Sequence, residues 1–309
     1  MPTFVAVALP DTTAVAGLIL YLALIAAAAF AGGSSVAFLS LGHRPMQVLL
    51  SLTGGVLLGV GLLHLLPHAW LQLDRDIETT MLWVLAGFFA MFLLERAFHG
   101  HAHHAAEGPD CGHDHGPHDH APHDHGHVHK ATVTGRWAWC GAFAGLALHS
   151  LADGAALAAS VGADAVHGVG MLAGFATFLA IVLHKPFDAG IIATLMVGAG
   201  ASSRTRLVVN ALYAAVVPLG AVAFLASLSL FDGREQAVLG IAMAMAAGAF
   251  LCIAAADLLP EVQFHSHDRV LLTTALALGL GCAWGISALE RVSHAHAAHA
   301  GPEAGQRDH

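Results

Sequence analysis

Apolar residues gather along this chain into eight stretches, at roughly 14–41, 46–71, 79–98, 137–161, 167–199, 207–230, 236–259 and 270–290. A hydrocarbon core about 30 Å thick takes about 20 residues of helix to cross. The pattern therefore predicts an all-α membrane protein with eight transmembrane helices.

The long polar interruption runs from His99 to Lys130 and holds twelve of the chain's 24 histidines, in a Gly, Pro and Asp background too polar to bury a core. It reads as a disordered cytoplasmic loop. The chain divides accordingly into the first three helices (1–98), the His-rich loop (99–136), two central helices (137–199), the last three helices (200–291) and an outer tail (292–309). His64-Leu65-Leu66-Pro67-His68, ending the second span, is echoed by Asp257-Leu258-Leu259-Pro260-Glu261, ending the seventh. These spans run in opposite directions, which predicts a 3+2+3 arrangement with spans 1–3 and 6–8 as inverted repeats around spans 4–5.

Composition narrows the class. Charged residues make up 11% of the chain, against about 25% in soluble domains, which excludes a water-soluble fold. The net charge of −9 comes without a phosphate-neutralising basic patch, so nucleic acid is not a partner. Cys111, Cys140, Cys252 and Cys282 are widely spaced and read as free thiols. No Lys or Arg precedes Arg44, so the first apolar run is expected to be a retained helix and not a cleaved signal. With the N-terminus outside, cytoplasmic loops carry Arg44, Arg96, Lys130, Arg136, Arg204, Arg206 and Arg269, and outer segments carry Arg75, Arg234, Arg291 and Arg307. The excess of basic residues inside predicts a cytoplasmic (inner) membrane protein with both termini outside. Lys185 is left at mid-span, where a charge costs about 2.5–3.5 kcal/mol.

The candidate chemistry lies in the two central spans. The fourth contains His149-Ser150-Leu151-Ala152-Asp153-Gly154, and the fifth contains His184-Lys185-Pro186-Phe187-Asp188. Residues four apart share a helix face, so each motif presents one imidazole and one carboxylate together. Two such helices facing one another offer an N2O2 set, suited to Zn²⁺ and open to Fe²⁺, Mn²⁺, Co²⁺ or Cd²⁺, whereas Mg²⁺ and Ca²⁺ favour all-oxygen shells. The plainer reading is a hydrogen-bonded group that glues helices together. Pro186 removes its own N–H and should kink the fifth span beside His184.

On these residues the chain resembles the ZIP family of divalent metal transporters. That family has eight spans, a His-rich loop after the third, and paired polar motifs in the fourth and fifth. Its fourth-span motif, His-Asn-x-x-Asp/Glu-Gly, is matched at His149, Asp153 and Gly154, with Ser150 at the Asn. Its fifth-span motif, His-Glu-x-Pro-His/Glu, is matched at His184, with Asp188 as the last carboxylate; Lys185 replaces the acidic residue, and the proline comes one position early. Where members with two adjacent metal sites carry a Glu before Pro-Leu-Gly in the sixth span, this chain has Val217-Pro218-Leu219-Gly220.

The resemblance implies one metal site, His149, Asp153, His184 and Asp188, with Ser150 and Lys185 replacing the ligands of a second. Lys185 would balance the carboxylates when metal is absent and could couple protonation to release. His64 and His68 are assigned to the pathway's outer entrance, and Asp257 and Glu261 to an inner exit, against helix-end polar groups that meet water as the plainer reading. His113, His115, His118, His120, His123, His125, His127 and His129 of the loop are assigned to weak binding of released metal, against an inert solvated loop as the alternative.

The implied activity is inward transport of a divalent transition metal by alternating access, with zinc first and Fe²⁺, Mn²⁺ and Cd²⁺ after it. Metal is cargo and no cofactor is required; the bilayer is a partner, and a homodimer is left open. An inside-negative potential favours uptake of a divalent cation by about 4.6 kcal/mol per 100 mV. The absence of a GxxxxGK[ST] loop agrees with a carrier that uses no nucleotide. The alternatives are a proton-coupled exporter resembling cation diffusion facilitators, which usually have six spans, and an intramembrane zinc metalloenzyme, for which no HExxH motif is present.

Overall fold

The computed structural model describes residues 12–35, 43–103, 138–165, 170–231, 233–264 and 268–299, all of their regular structure being helical. Eight of these helical segments are long and apolar enough to cross a membrane. The protein is a multi-pass membrane protein, with the span order its hydropathy predicts.

The first span is α1 (Thr12–Ser35). The second joins α2 (His43–Val60), a π turn (Gly61–Leu65) and α3 (Leu66–Gln72). The third is α4 (Ile77–His103), the fourth α5 (Ala138–Ala165) and the fifth α6 (Phe175–Gly198), entered through a short 3-10 turn at Gly170–Leu172. The sixth joins α7 (Ser203–Ala214) to α8 (Val216–Leu228), the seventh is α9 (Glu235–Phe264) and the eighth α10 (Arg269–His299).

Prolines locate two of the irregularities. Pro218 has no N–H to give to the carbonyl of Ala214, and the sixth span breaks there, between α7 and α8. Pro67 follows the π turn, in which the Leu66 N–H donates to the Gly61 carbonyl five residues back. Such π turns insert one residue and re-aim side chains, here His64. Pro186 lies within α6, which continues as one helix from Phe175 to Gly198. The proline removes a hydrogen bond without breaking the helix.

Four helix pairs make the most extensive contacts: α2 along α10, α4 along α9, α5 along α8 and α1 along α6. Each is closed by glycine. Gly55 and Gly279 meet between α2 and α10, Gly87 and Gly248 lie against the facing backbone between α4 and α9, and Gly154 and Gly220 do so between α5 and α8. Gly32 of α1 lies against the backbone of Pro186. Between helices in a bilayer the hydrophobic drive is weak, so close van der Waals approach at small residues supplies much of the association.

Burial separates centre from periphery. The second, fourth and seventh spans have 61%, 50% and 56% of their most apolar window buried, against 22% and 28% for the third and eighth. Leu82, Leu85 and Phe89 of α4 and Leu278, Trp284 and Leu289 of α10 point outward, as lipid-facing residues do. The polar chemistry is thus carried by the enclosed spans.

Candidate metal centre

Helical spacing brings His149 and Asp153 onto one face of α5, and His184 and Asp188 onto one face of α6. The two faces meet. His149 Nε2 is 3.2 Å from Asp153 Oδ2 and 3.4 Å from His184 Nε2, and His184 Nε2 is 3.3 Å from the same Asp153 oxygen. Asp188 Oδ2 lies 4.0 Å from each imidazole nitrogen. His149, His184 and Asp188 place their ligand atoms within 4.8 Å of one another, a grouping able to hold a metal ion.

Zinc bonds of about 2.0–2.2 Å put tetrahedral ligand atoms about 3.3–3.6 Å apart. The edges among His149, Asp153 and His184 fall close to that range, and those to Asp188 lie slightly beyond it. His184 is also oriented for ligation. Its Nδ1–H donates to the Ala180 carbonyl at 2.8 Å, which leaves the Nε2 lone pair facing the cluster.

Lys185 is wholly buried, with its ammonium 2.5 Å from Asp153 Oδ2 and 2.8 Å from Asp188 Oδ2. Two carboxylates and one ammonium leave one net negative charge in an enclosed setting. Such a group can attract a divalent cation, while the ammonium opposes any added positive charge. Ser150 does not face the imidazoles as a ligand: its hydroxyl donates to Tyr213 Oη at 3.0 Å, and Tyr213 in turn donates to Asp188 Oδ2 at 3.2 Å.

Apolar side chains and a cavity border this group. Phe250 of α9 sets its ring edge-on to His184 at 6.2 Å between centroids. A cavity of about 370 Å³ between α4, α5 and α9 reaches His149 and Asp153, and its other walls include Met91, Met245 and Phe250. Gly154, four residues from Ser150, lies against the backbone at Val217 and Gly220, so the α5–α8 contact holds the motif's helix close to the sixth span.

The remaining sequence-predicted residues fall elsewhere. His64 and His68 stand together, 4.6 Å between ring centroids, beside Asp164 near the end of α5. Asp257 and Glu261 belong to the last turns of α9, but their side chains lie outside the described residues. His113, His115, His118, His120, His123, His125, His127 and His129 also lie outside them. Sequence reasoning missed Tyr213 and Asp164. A carboxylate at the end of an apolar run was a usable signal for Asp164, since intramembrane acids need partners; nothing in the sequence tied Tyr213 to Asp188.

The chain matches the sequence model of the family described as "ZIP Zinc transporter" over residues 15–287. It is 35% identical over 153 residues to "Zinc transporter ZIP9-B" of Xenopus laevis, covering 47% of this chain and 45% of that relative. It is 36% identical over 152 residues to "Zinc transporter ZIP9" of Xenopus tropicalis, covering 45% and 48% respectively. The chain spans about half the length of these curated relatives. The family match, by contrast, begins in the first span and ends in the eighth, and on that ground this chain belongs to the ZIP zinc transporter family.

Proposed function

We propose that the protein carries a divalent transition metal, zinc first, inward across the cytoplasmic membrane by alternating access around His149, Asp153, His184 and Asp188. The observation that carries this reading is the set of nitrogen–oxygen and nitrogen–nitrogen distances among His149, Asp153 and His184, close to the edges of a zinc tetrahedron within the membrane core. Membership of a zinc transporter family supports zinc as the cargo. Fe²⁺, Mn²⁺ and Cd²⁺ meet the same donors, and geometry and availability set the choice among them.

Lys185 neutralises part of the carboxylate charge when no metal is present and opposes a second ion when one is. The ion approaches past His64 and His68 and leaves toward Asp257 and Glu261. The His-rich loop then binds it on the cytoplasmic side. The basic residues of the loops support both termini outside.

The pairing of helices supports inverted repeats and rocking motion. Exchanging spans 1 with 6, 2 with 7, 3 with 8 and 4 with 5 turns the 2–8 contact into 7–3, and the 4–6 contact into 5–1, so the four main pairs map onto one another. Repeat-built carriers alternate access in this way. Lipid covers the outward faces of α4 and α10, and a homodimer through either is compatible with them.

Liposomes that contain a zinc-sensitive dye and the reconstituted protein test direction. Zinc added outside should enter down its own gradient, and faster with an inside-negative potential. Movement that requires an opposed proton gradient would favour an exporter, and no flux in either direction would remove the carrier reading.

A further inference from the structure

The cluster around Asp164 is built like a second metal site, separate from the central one. Asp164 lies about 16 Å farther along α5 than Asp153, at about 1.5 Å per residue. It is almost wholly buried, at 2% exposure. Two imidazoles converge on its carboxylate from the second span: His68 Nδ1 is 3.1 Å from Oδ1, and His64 Nε2 is 3.9 Å from Oδ2. His64 Nε2 is also 3.1 Å from the Ser160 hydroxyl.

The surrounding polar groups fix this geometry. Gly174, whose φ of 73° is left-handed, donates its N–H to Asp164 Oδ2 at 2.8 Å. The Thr177 hydroxyl donates to Ser160 Oγ at 2.9 Å. The π turn at Gly61–Leu65 sets the register of His64 just ahead of His68. Asp164 Oδ1 nevertheless accepts no hydrogen bond of good geometry, although it is enclosed. His68 Nδ1, 3.1 Å away, is what meets that oxygen without metal, and a cation between the two would meet it in its place.

We propose that His64, His68 and Asp164, with the Ser160 hydroxyl as a fourth neutral donor, bind one borderline divalent cation such as Zn²⁺ at the mouth of the pathway. Two imidazoles and one carboxylate suit that class of ion, and a fourth position filled by a weak donor or water lets it leave. His68 is the partly open member, its side chain 14% exposed against 1% for His64 and 3% for Asp164. It is therefore the member of the three most accessible from outside the helix bundle. The ion's onward movement to His149 and His184 rests on the transport reading; its binding here does not.

The test is carbethoxylation of His68 in the full-length protein in nanodiscs, followed peptide by peptide with mass spectrometry so that loop histidines are read separately. A His149→Ala/His184→Ala background empties the central group. Zn²⁺ at ten times its dissociation constant should slow His68 modification about tenfold in wild type and in that background. Asp164→Asn should abolish the protection, while Asn still accepts the Gly174 N–H and keeps the local fold; His64→Gln should weaken it. Equal protection in Asp164→Asn, or none in wild type, overturns the proposal. Loss of flux in the His149→Ala/His184→Ala background with His68 protection retained separates this site from the central one. Unimpaired flux in that background defeats the central reading and leaves this one standing.

Discussion

Replacing Lys185 with methionine keeps most of the side-chain volume and removes the ammonium that touches Asp153 at 2.5 Å and Asp188 at 2.8 Å. Two buried carboxylates then share a setting without that cation. Removing one partner of a buried ion pair costs about 3–5 kcal/mol, so the metal-free protein should melt on the order of 10 °C lower. A zinc ion ligated by Asp153 sits about 2 Å from its oxygen, hence about 4 Å from the wild-type ammonium. At an effective dielectric of about 20 the repulsion between them is about 8 kcal/mol, from about 4 kcal/mol per unit-charge pair. Lys185→Met therefore loses stability without metal and gains affinity with it. Thermal unfolding in nanodiscs, with chelator and then with saturating Zn²⁺, reads both effects. The zinc-induced rise in melting temperature should exceed that of wild type. Equal melting of the two proteins under both conditions would refute the charge-balance reasoning.

Tyr213→Phe removes the hydroxyl between Ser150 and Asp188 and leaves the buried Ser150 hydroxyl without that acceptor; a loss of about 1–3 kcal/mol is expected in unfolding experiments, largely recovered when Ser150→Ala is added. Gly154→Leu places side-chain atoms into the backbone of Val217 and Gly220, and should cost about 1–3 kcal/mol or more by overpacking, whereas Gly281→Leu, facing open space, should leave the melting temperature unchanged. Asp76 caps α4, accepting from the Thr79 hydroxyl at 2.6 Å and from the Glu78 N–H at 3.0 Å, and the Thr79 hydrogen bond holds its carboxyl below the ordinary value. Its contribution is therefore full above the unfolded carboxyl value near about 3.9 and lost as pH falls through the lower folded value, so the stability difference between wild type and Asp76→Ala should shrink on acidification.

Much of the fold is written in hydropathy, because a span must be apolar along its whole length. The ends are less legible. The sixth span begins at Ser203 and not near 207, since Ser202 caps it by accepting the Thr205 N–H at 3.2 Å, and the polar run Ser203-Arg204-Thr205-Arg206 hides that first turn. The fourth span continues to Ala165 past the expected end near 161. Asp164 reads as the start of a loop when hydropathy decides, which conceals its meeting with His64 and His68. Periodicity was enough to pair His149 with Asp153 and His184 with Asp188. It could not show that the ammonium of Lys185, one residue from His184, reaches across to Asp153 on the neighbouring helix. That contact depends on how α5 and α6 face one another. The π turn is likewise silent in Gly61-Leu62-Leu63-His64-Leu65, with Pro67 the nearest cue.

The most direct measurement is initial zinc flux into liposomes holding equal amounts of folded wild type, His149→Ala or His184→Ala. Each substitution removes a nitrogen within 3.4 Å of the other imidazole and of Asp153, leaving helix packing largely intact. Saturable flux is expected for wild type, and flux at the level of empty liposomes for both variants. Wild-type flux from a variant that lacks either histidine would contradict passage of the ion through this group.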